Sequence, residues 1–204
     1  MLLKKEKGDI TEKEQEYYSQ LIYSKMLQIE NMVKQLFELS KMDAVEFKPH
    51  KEPFVLSEIV QEAINTFQLI ASEKKINLQC TQCLYHVWIN ADINMMERVV
   101  QNLVDNALKS TPEGSFIKVS ITVDNHELIF KIENDGPALS GDLLQWINNY
   151  NDGDALSDRR PQKLGLGLLI VQKILHLHDT SLKAYTHAGT NVFTFSTPIY
   201  DLPS

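Results

Sequence analysis

The sequence predicts a protein of the α+β class, a two-layer α/β sandwich in which a mixed sheet carries three helices, preceded by one long helix. Residues 10–42 show a single helical pattern of apolar residues. After Pro53, amphipathic helical segments are separated by runs of short apolar strands. Strands segregated from helices in this way are typical of a sheet with helices packed on one face. We therefore predict two parts, residues 1–50 and residues 51–204.

The long helix carries an apolar stripe that needs a partner. Thr11-Glu12-Lys13-Glu14 fits a capping box at its start, and the pattern continues to Met42. Such a helix measures about 50 Å at 1.5 Å per residue, and its stripe would be exposed if it stood alone. We expect a helical bundle, completed by another chain or by a preceding helix. The stripe consists of Ile22, Met26, Ile29, Val33 and Leu36, widened by Leu21, Met32 and Leu39.

The remaining elements follow from periodicity and from turn residues. Ser57 and Asp92 are the expected N-caps of two amphipathic helices, and Asp124-Asn125-His126 and Ala188-Gly189 are the expected turns of two hairpins. The predicted helices are 57–72, 92–111 and 165–176, and the predicted strands are 76–80, 84–89, 115–123, 127–133, 182–186 and 191–196. The first of these helices is expected to bury Ile59, Val60, Ala63, Ile64, Phe67 and Ile70.

Composition excludes several classes of protein. The net charge of −7 over 204 residues argues against a broad nucleic-acid surface, which needs clustered lysine and arginine. No apolar run approaches the length of a membrane span, and the N-terminus lacks the apolar core and cleavage site of a signal peptide. We expect this region to be cytoplasmic, which is compatible with a membrane anchor elsewhere in a longer protein.

The two cysteines stand close together in Cys80-Thr81-Gln82-Cys83, with His86 three residues later. A zinc site would need a fourth ligand at motif spacing, and a redox-active pair would be expected at the start of a helix. Neither is evident. Both cysteines are therefore expected to be structural and to behave as small apolar side chains.

One helix presents a short polar row above a buried stripe. Asn102, Asn106 and Lys109 fall within an arc of about 60° at 100° per residue. Pro112 and Gly114 end this helix. Taken alone, the row is compatible with an ordinary solvated face. The opposite face is apolar and consists of Met96, Val99, Val100, Leu103, Val104, Ala107 and Leu108.

Two further motifs follow in order along the chain. Residues 132–137 are the end of a strand followed by Asn-Asp-Gly-Pro, and residues 163–171 are a glycine-rich turn entering an apolar helix. The three motifs in this order resemble the ATP-binding half of sensor histidine kinases, in the superfamily that contains Hsp90 chaperones, type II topoisomerases and MutL repair proteins. The resemblance implies a Bergerat-type ATP-binding fold for residues 51–204. It also implies that residues 1–50 are the C-terminal part of a helical dimerisation and phosphotransfer hairpin.

The family carries its phospho-accepting histidine on the first helix of that hairpin. Residues 2–7 look like the end of this helix, and the family's His-Glu-x-x-Arg-Thr-Pro type of motif is absent. None of the chain's 6 histidines has such a context, and His50 lies in a linker between Pro49 and Pro53. We therefore assign no catalytic residue and expect the acceptor histidine on a helix that this chain lacks.

The resemblance assigns the polar row to phosphate and metal. Asn106 would hold Mg²⁺ between the phosphates, Asn102 would bind the metal's waters or a phosphate, and Lys109 would neutralise phosphate charge. These roles suit the residue types, because a carboxamide oxygen is a ligand that Mg²⁺ accepts and lysine is a mobile point charge. Asp105 lies at the edge of this face and is expected to pair with Arg98 or with water.

The expected adenine pocket departs from the family's pattern. Asn134, two residues before Gly136, stands where the family has an aspartate that accepts a hydrogen bond from the adenine amino group. An uncharged acceptor is weaker than a carboxylate, so we expect about 1–2 kcal/mol of binding to be lost. Ala138 stands at the position of the family's second glycine.

The glycine turn is the third expected contact with nucleotide. Gly165, Leu166, Gly167 and Leu168 open a helix, where backbone N–H groups can approach phosphate. Lys163 stands where the family's run opens with another glycine.

The polar residues between the second and third motifs, 139–162, are expected to form a mobile lid over the nucleotide. The family's phenylalanine-bearing segment is not recognisable in them, and Trp146 is a candidate substitute.

Together these features predict the ATP-binding catalytic region of a two-component sensor histidine kinase, which positions Mg-ATP for transfer to a histidine. The expected cofactors are ATP and Mg²⁺, and the expected partners are a response-regulator receiver domain and a second copy of the chain. The alternative is a degenerate, non-catalytic nucleotide-binding or scaffolding module, because Asn134, Ala138 and Lys163 all depart toward weaker nucleotide binding. An Hsp90-like ATPase is disfavoured, because Asn102 stands where an acidic residue would activate water.

Overall fold

The computed structural model describes residues 11–44, 46–83, 86–150, 161 and 165–201. The expected end of a preceding helix at residues 2–7, and Lys163, lie outside these residues. In chain order the elements are α1 (Glu12–Met42), β1 (Glu52–Val55), α2 (Leu56–Glu73), β2 (Asn77–Thr81), β3 (Trp88–Ala91), α3 (Ile93–Ser110), β4 (Phe116–Asp124), β5 (Glu127–Asp135), α4 (Gly141–Asn148), α5 (Leu166–Leu177), β6 (Lys183–His187) and β7 (Thr190–Pro198).

The main sheet is mixed, as predicted, and has five strands. Its strand order is β2-β4-β5-β7-β6, with β2 parallel to β4 and the other neighbours antiparallel. Two tight turns join its hairpins. Asn125 and His126 have φ values of 48° and 63°, and Ala188 and Gly189 have values of 50° and 84°. Two consecutive left-handed residues are typical of the turns that match the strand twist, so both predicted hairpins are confirmed.

A second, two-stranded sheet was not predicted. Residues 49–53 were expected to be a linker, but β1 pairs antiparallel with β3, and Pro53 lies opposite Asn90. Proline is tolerated there because a two-stranded sheet consists only of edge strands. The strand predicted at 84–89 is β3, which begins at Trp88.

The start of α2 also differs from the prediction. β1 runs directly into the helix, so Val55 is its N-cap and no side chain caps it. The predicted cap, Ser57, is buried in the first turn. Asp92, by contrast, caps α3 as predicted, because its carboxylate accepts a hydrogen bond from the Met95 N–H at 3.2 Å.

Three helices form the second layer, with α3 between α2 and α5. The predicted apolar face of α3 is buried throughout, and α5 is buried on nearly every side, including its polar Gln172 and Lys173. The predicted inward face of α2 is confirmed except at Ile70, which is 43% exposed, and Phe67, which is partly buried.

A short helix, α4, begins the segment that was predicted to be a mobile lid. Ser140 caps it, and its own residues Trp146 and Ile147 are buried. Asn148 fixes its end to β6, donating to the Ala184 carbonyl at 2.9 Å and accepting from the Ala184 N–H at 3.0 Å. Residues 151–160 and 162–164 of the expected lid lie outside the described residues.

Among the residues that the structure describes, the long helix α1 buries side chains near its C-terminal end only. The predicted capping box is present, with Thr11 and Glu14 bonded reciprocally. Leu39 and Met42 are buried, whereas the apolar stripe nearer the N-terminus is exposed. Two ion pairs reinforce the contact, Glu38 with Arg98 at 3.1 Å and Asp43 with Lys173 at 2.7 Å. Within the part of the chain that is described, no helix is long and apolar enough to cross a bilayer.

The two cysteines form a disulfide, Cys80–Cys83, rather than two free thiols. Both side chains are partly buried against the hydrophobic core. The prediction of a structural role therefore agrees with their packing, and the expectation of two separate small apolar side chains was wrong. A separation of three residues lets the chain turn back from the end of β2 so that the two sulfur atoms meet.

The end of β5 packs tightly against the end of α3. A Cβ atom added to Gly136 would lie 2.9 Å from the backbone carbonyl oxygen of Ser110. Real Cβ atoms do not approach backbone oxygens so closely, so this contact admits only glycine. The packing holds Asn134 and Gly136 next to the last turn of α3.

A buried histidine joins three elements at the opposite end of α3. His178, which is 8% exposed, accepts a hydrogen bond at Nε2 from the Asp92 N–H at 3.0 Å. Its Nδ1 lies 2.8 Å from the Ile174 carbonyl oxygen and must carry the proton. The Asp92 carboxylate in turn accepts from the His50 N–H at 2.9 Å. Burial lowers the pKa of His178, opposed by its bond to Ile174 and by the carboxylates of Asp92 and Asp179.

We expect Gly136→Ala to destabilise the fold by about 1–3 kcal/mol, because the new methyl group forces β5 and α3 apart. The matched control is Gly141→Ala, whose added Cβ meets nothing within 4 Å and whose stability should change by less than about 1 kcal/mol. Urea unfolding of the two variants measures the difference. Equal stability of the two would contradict the tight contact.

Protonation of His178 is expected to destabilise the fold at acidic pH. Because the folded-state pKa is lowered, the unfolded chain binds the proton first as pH falls through about 6.5, and the free energy of unfolding decreases from there down to the folded pKa. His178→Gln should flatten the pH dependence of the unfolding free energy over this window, whereas His187→Gln, at an exposed strand position, should retain it. The same slope in wild type and His178→Gln would show that another group titrates.

Candidate functional site

A cleft of about 640 Å³ lies where α1, α3 and the start of α5 meet. Of the nine residues predicted to contact nucleotide, seven line it, namely Asn102, Asn106, Lys109, Gly165, Leu166, Gly167 and Leu168. The other residues of its wall are Gln28, Asn31, Met32 and Gln35 of α1 and Asp105 of α3. The polar row and the glycine turn, which are about 60 residues apart in sequence, thus face one space.

Asn102 fixes the spacing between the two helices. Its side chain is 9% exposed, and its Nδ2 donates to the Arg98 carbonyl one turn earlier at 2.8 Å. Its Oδ1 faces α5, where a Cβ atom added to Gly167 would lie only 2.9 Å away. A side chain at position 167 would therefore have to displace the Asn102 amide, so Gly167 favours close packing of the helices beside any role in approaching phosphate.

Asn106 differs from the other two residues of the polar row because its side chain has no partner among the described residues. It is half-buried, lines the cleft, and forms no side-chain hydrogen bond to any residue that the structure describes. One turn later the Ser110 hydroxyl donates to the Asn106 backbone carbonyl at 3.0 Å, which leaves the carboxamide itself available. An amide oxygen in this position is free to accept a ligand.

Lys109 does not stand alone in the cleft. Its Nζ atom lies 2.5 Å from the Asp105 carboxylate, and both side chains are substantially exposed. The expectation that Asp105 pairs with Arg98 or with water was therefore wrong. Helical i,i+4 spacing brings Asp105 to Lys109, while α1 supplies Glu38 as the partner of Arg98.

The first turn of α5 offers backbone donors to the same space. Gly165 is the N-cap and no side chain caps the helix. The N–H groups of Leu166, Gly167 and Leu168 belong to the first turn, whose amides have no intrahelical acceptor. Together with the helix dipole they favour an anion at this end of the cleft.

The two remaining predicted residues, Asn134 and Gly136, do not line this cleft. Asn134 is almost fully buried at the end of α3, and its Nδ2 lies within hydrogen-bond distance of the Ser110 and Thr111 hydroxyls and the Asp135 carbonyl. Both hydroxyls donate to helix carbonyls, so they must accept from Asn134. This network fixes the amide orientation and leaves Oδ1 without a hydrogen bond to any described residue.

Trp146, the candidate substitute for the family's phenylalanine, lies away from the cleft wall. Its ring packs edge-on against Tyr150 with centroids 5.3 Å apart. The indole is 8% exposed, and its Nε1 has no hydrogen-bond partner in the part of the molecule that the structure describes. Its predicted role at the nucleotide therefore has no support from this packing.

The donor set of the cleft suits a hard divalent cation. The Asn106 amide oxygen and the adjacent Asp105 carboxylate are oxygen ligands, the type that Mg²⁺ takes alongside water and phosphate. No group of three or more histidine, cysteine, aspartate or glutamate side chains able to hold a metal occurs among the described residues. The residues fit a cation brought in with a polyphosphate better than a permanently bound metal.

The sequence did not reveal the wall formed by α1. Gln28, Asn31 and Gln35 recur at helical spacing on one face of α1, next to the edge of the apolar stripe that contains Met32 and Leu39. This polar periodicity was visible in the sequence, but nothing local indicated that α1 would lie beside α3 and α5.

Comparison with known proteins agrees with this architecture. A heme sensor protein, HssS, of Staphylococcus epidermidis is 30% identical over 178 residues, covering 85% of this chain and 38% of the relative. The chain spans well under half the length of the curated relatives that it matches.

Two solved structures share the fold. Full-length ShkA in complex with AMPPNP has a TM-score of 0.75 and 18% identity, covering 98% of this chain and 42% of that one. Histidine kinase ThkA in complex with the response regulator TrrA has a TM-score of 0.71 and 21% identity, covering 95% and 53%. At these identities the two structures show the fold alone.

The family model described as histidine kinase-, DNA gyrase B-, and HSP90-like ATPase matches residues 91–201. This range contains the polar row of α3, the end of β5 and the start of α5, which carried the resemblance to sensor histidine kinases, and that resemblance is confirmed. Because the match covers more than half of its length, the chain belongs to the histidine kinase-, DNA gyrase B- and HSP90-like ATPase family.

Proposed function

We propose that this chain is the ATP-binding catalytic region of a two-component sensor histidine kinase, which positions Mg-ATP for transfer of its γ-phosphoryl group to a histidine. The observation that carries the proposal is the shared cleft, in which the amide-bearing face of α3 meets the uncapped N-terminus of α5. One wall supplies oxygen ligands for a cation and the other supplies N–H donors for phosphates, as a metal–polyphosphate complex requires.

In this proposal both walls of the cleft bind the Mg-ATP complex. Asn106 holds Mg²⁺, and Asn102 contributes through water or a phosphate oxygen. Lys109 turns from Asp105 toward the phosphates, since an exposed ion pair costs at most about 1 kcal/mol to exchange. The backbone of residues 165–168 binds phosphate oxygens. When bound, the magnesium ion would neutralise the charge between the phosphates.

The adenine would lie at the end of α3, beyond Lys109. Asn134 supports this role through its fixed amide orientation, which presents Oδ1 as the acceptor for an amino group. Gly136 supports it by allowing the end of β5 to lie against Ser110. Because the acceptor is a neutral amide, we expect weaker adenine binding than a carboxylate would provide.

Phosphoryl transfer in such a site depends on positioning and electrostatics. The bond from the γ-phosphorus to the bridging oxygen of ADP breaks as a bond to an imidazole nitrogen forms. We propose that the accepting histidine lies outside this chain, on the companion helix of α1, because none of the chain's 6 histidines has the expected sequence context. The chain alone would then bind ATP without phosphorylating itself.

The proposed partners are a second copy of the chain and a response-regulator receiver domain. The exposed stripe of α1 supports the first, since apolar residues such as Ile29 and Val33 are about 60% exposed in the single chain. Ile29→Glu should lower the dimer fraction in sedimentation, whereas Gln20→Glu, on the opposite face of the helix, should not. The complex of ThkA with TrrA supports the second.

A degenerate, non-catalytic binding module remains the second candidate, and one observation favours it. Asn134 is 1% exposed and its amide is tied into contacts within the protein, so the expected base pocket is not an open part of the cleft. A protein of this kind would act through its bundle helix and its partners without ATP turnover.

Mg-ATP titration of wild type and Asn106→Ala separates the two candidates. Loss of the metal ligand should weaken Mg-ATP binding about tenfold or more, by the energy of an interaction with a charged group. The matched control is Asn94→Ala, an exposed asparagine about 18 Å along the same helix, which should bind as wild type does. Absent binding, or binding that Asn106→Ala leaves unchanged, would support the degenerate module and contradict the kinase site.

A further inference from the structure

We propose that α1 supplies a second wall of the phosphate site through the carboxamides of Asn31 and Gln35, so that nucleotide binding and the docking of α1 are coupled. This inference rests on the proposed function and adds to it a pair of positioning residues outside the matched family region, 91–201. Three observations support it, namely the shared cleft, the unpaired carboxamides and the anchoring of α1.

Asn31 and Gln35 line the cleft opposite Asn106, Lys109 and the start of α5. Neither carboxamide forms a hydrogen bond to any residue that the structure describes. Gln28, one turn earlier, differs because its Oε1 accepts from Lys25 at 3.1 Å. Two amides with unused donors and acceptors therefore face the space assigned to the phosphates.

The position of these side chains is fixed by the two helices that form the other wall. Glu38, one turn after Gln35, pairs with Arg98 of α3 at 3.1 Å. Asp43 pairs at 2.7 Å with Lys173 of α5, whose side chain is only 6% exposed. Leu39 and Met42 are buried between these ion pairs. Movement of α1 would therefore open the cleft along its whole length.

The polar face of α1 can act without disturbing the bundle. At 100° per residue Asn31 lies about 160° around the helix from Ile29 and from Val33, so the centre of the apolar stripe faces away from the cleft, whereas Met32, at the edge of the stripe, lines it. One helix can thus present its stripe to a partner helix and its amides to the nucleotide at the same time.

The α1 carboxamides are placed to bind the phosphates farthest from the adenine. The α1 residues face Lys109 and residues 165–168 rather than Asn134, so they lie toward the phosphate end and away from the expected adenine. Carboxamide N–H groups bind phosphate oxygens without adding charge, beside the cation already supplied by Lys109. We therefore expect α1 to favour a triphosphate over a diphosphate.

The test compares Mg-ATP and Mg-ADP affinities, by calorimetry, of the wild-type chain, the double variant Asn31→Ala/Gln35→Ala, and Gln20→Ala. Alanine at exposed or half-exposed helix positions favours the helix, so folding is preserved. We expect the double variant to bind Mg-ATP about tenfold more weakly and Mg-ADP no more than about threefold more weakly. Gln20→Ala, the same residue type on the same helix but outside the cleft, should match wild type.

Coupling also makes a reciprocal prediction about the docking of α1. If α1 favours nucleotide, nucleotide must favour docked α1 by the same factor. Amide exchange in residues 28–42 should slow when Mg-ATP is added, and less so in the double variant.

The outcomes separate this inference from the proposed function. Wild-type binding that Asn106→Ala abolishes but the double variant leaves unchanged would overturn the role of α1 alone. Tighter binding by the double variant would also overturn it, because α1 would then cover the site and hinder entry. Absence of Mg-ATP binding to wild type would overturn both.

Discussion

The close packing of α3 against α5 is the contact on which the rest of the molecule depends. α3 buries its apolar face against the core, which is why its other face can present amides and a lysine to the cleft. At the start of α5 a Cβ atom at position 167 would lie 2.9 Å from the Asn102 Oδ1, so glycine leaves room for the amide that lies between the two helices. The distance between the amide row and the N-terminus of α5 is therefore set by sterics and is independent of any ligand.

The proposed polyphosphate site depends on that fixed distance. Asn106 supplies an amide oxygen with no partner among the described residues, and Lys109 supplies a cation that is paired with Asp105. α5 supplies N–H groups that no side chain caps. Each of these is weak alone. In the proposed site they would act on one ligand, because packed helices hold them around one cleft of about 640 Å³. α1 is held in the same way, because its ion pairs join it to both α3 and α5.

The sequence predicted those features that depend on local periodicity and turn chemistry. The two faces of α3, the buried α5, the Asp92 cap and both hairpin turns follow from residues near one another in the chain. The elements that it missed depend on distant partners. β1 forms a strand because β3 lies beside it. Ser57 does not cap α2, because the helix begins at Leu56, directly after β1.

The candidate site divides in the same way. Spacing along α3 and at the start of α5 was enough to select residues that the fold brings together. Spacing along α3 favours Lys109, four residues after Asp105, over Arg98, seven residues before it, but it could not show that Glu38 of α1 would pair with Arg98. It could not place Asn134 either, since the Ser110 and Thr111 hydroxyls that orient its amide belong to another element.

The central claim is that a metal–triphosphate binds between the amide row of α3 and the first turn of α5. A crystal structure of the chain grown with Mg²⁺ and AMPPNP tests it most directly. We expect the metal within bonding distance of the Asn106 amide oxygen and the phosphates against the backbone of residues 165–168. Nucleotide bound elsewhere, or a cleft filled only by solvent at saturating nucleotide, would contradict the account.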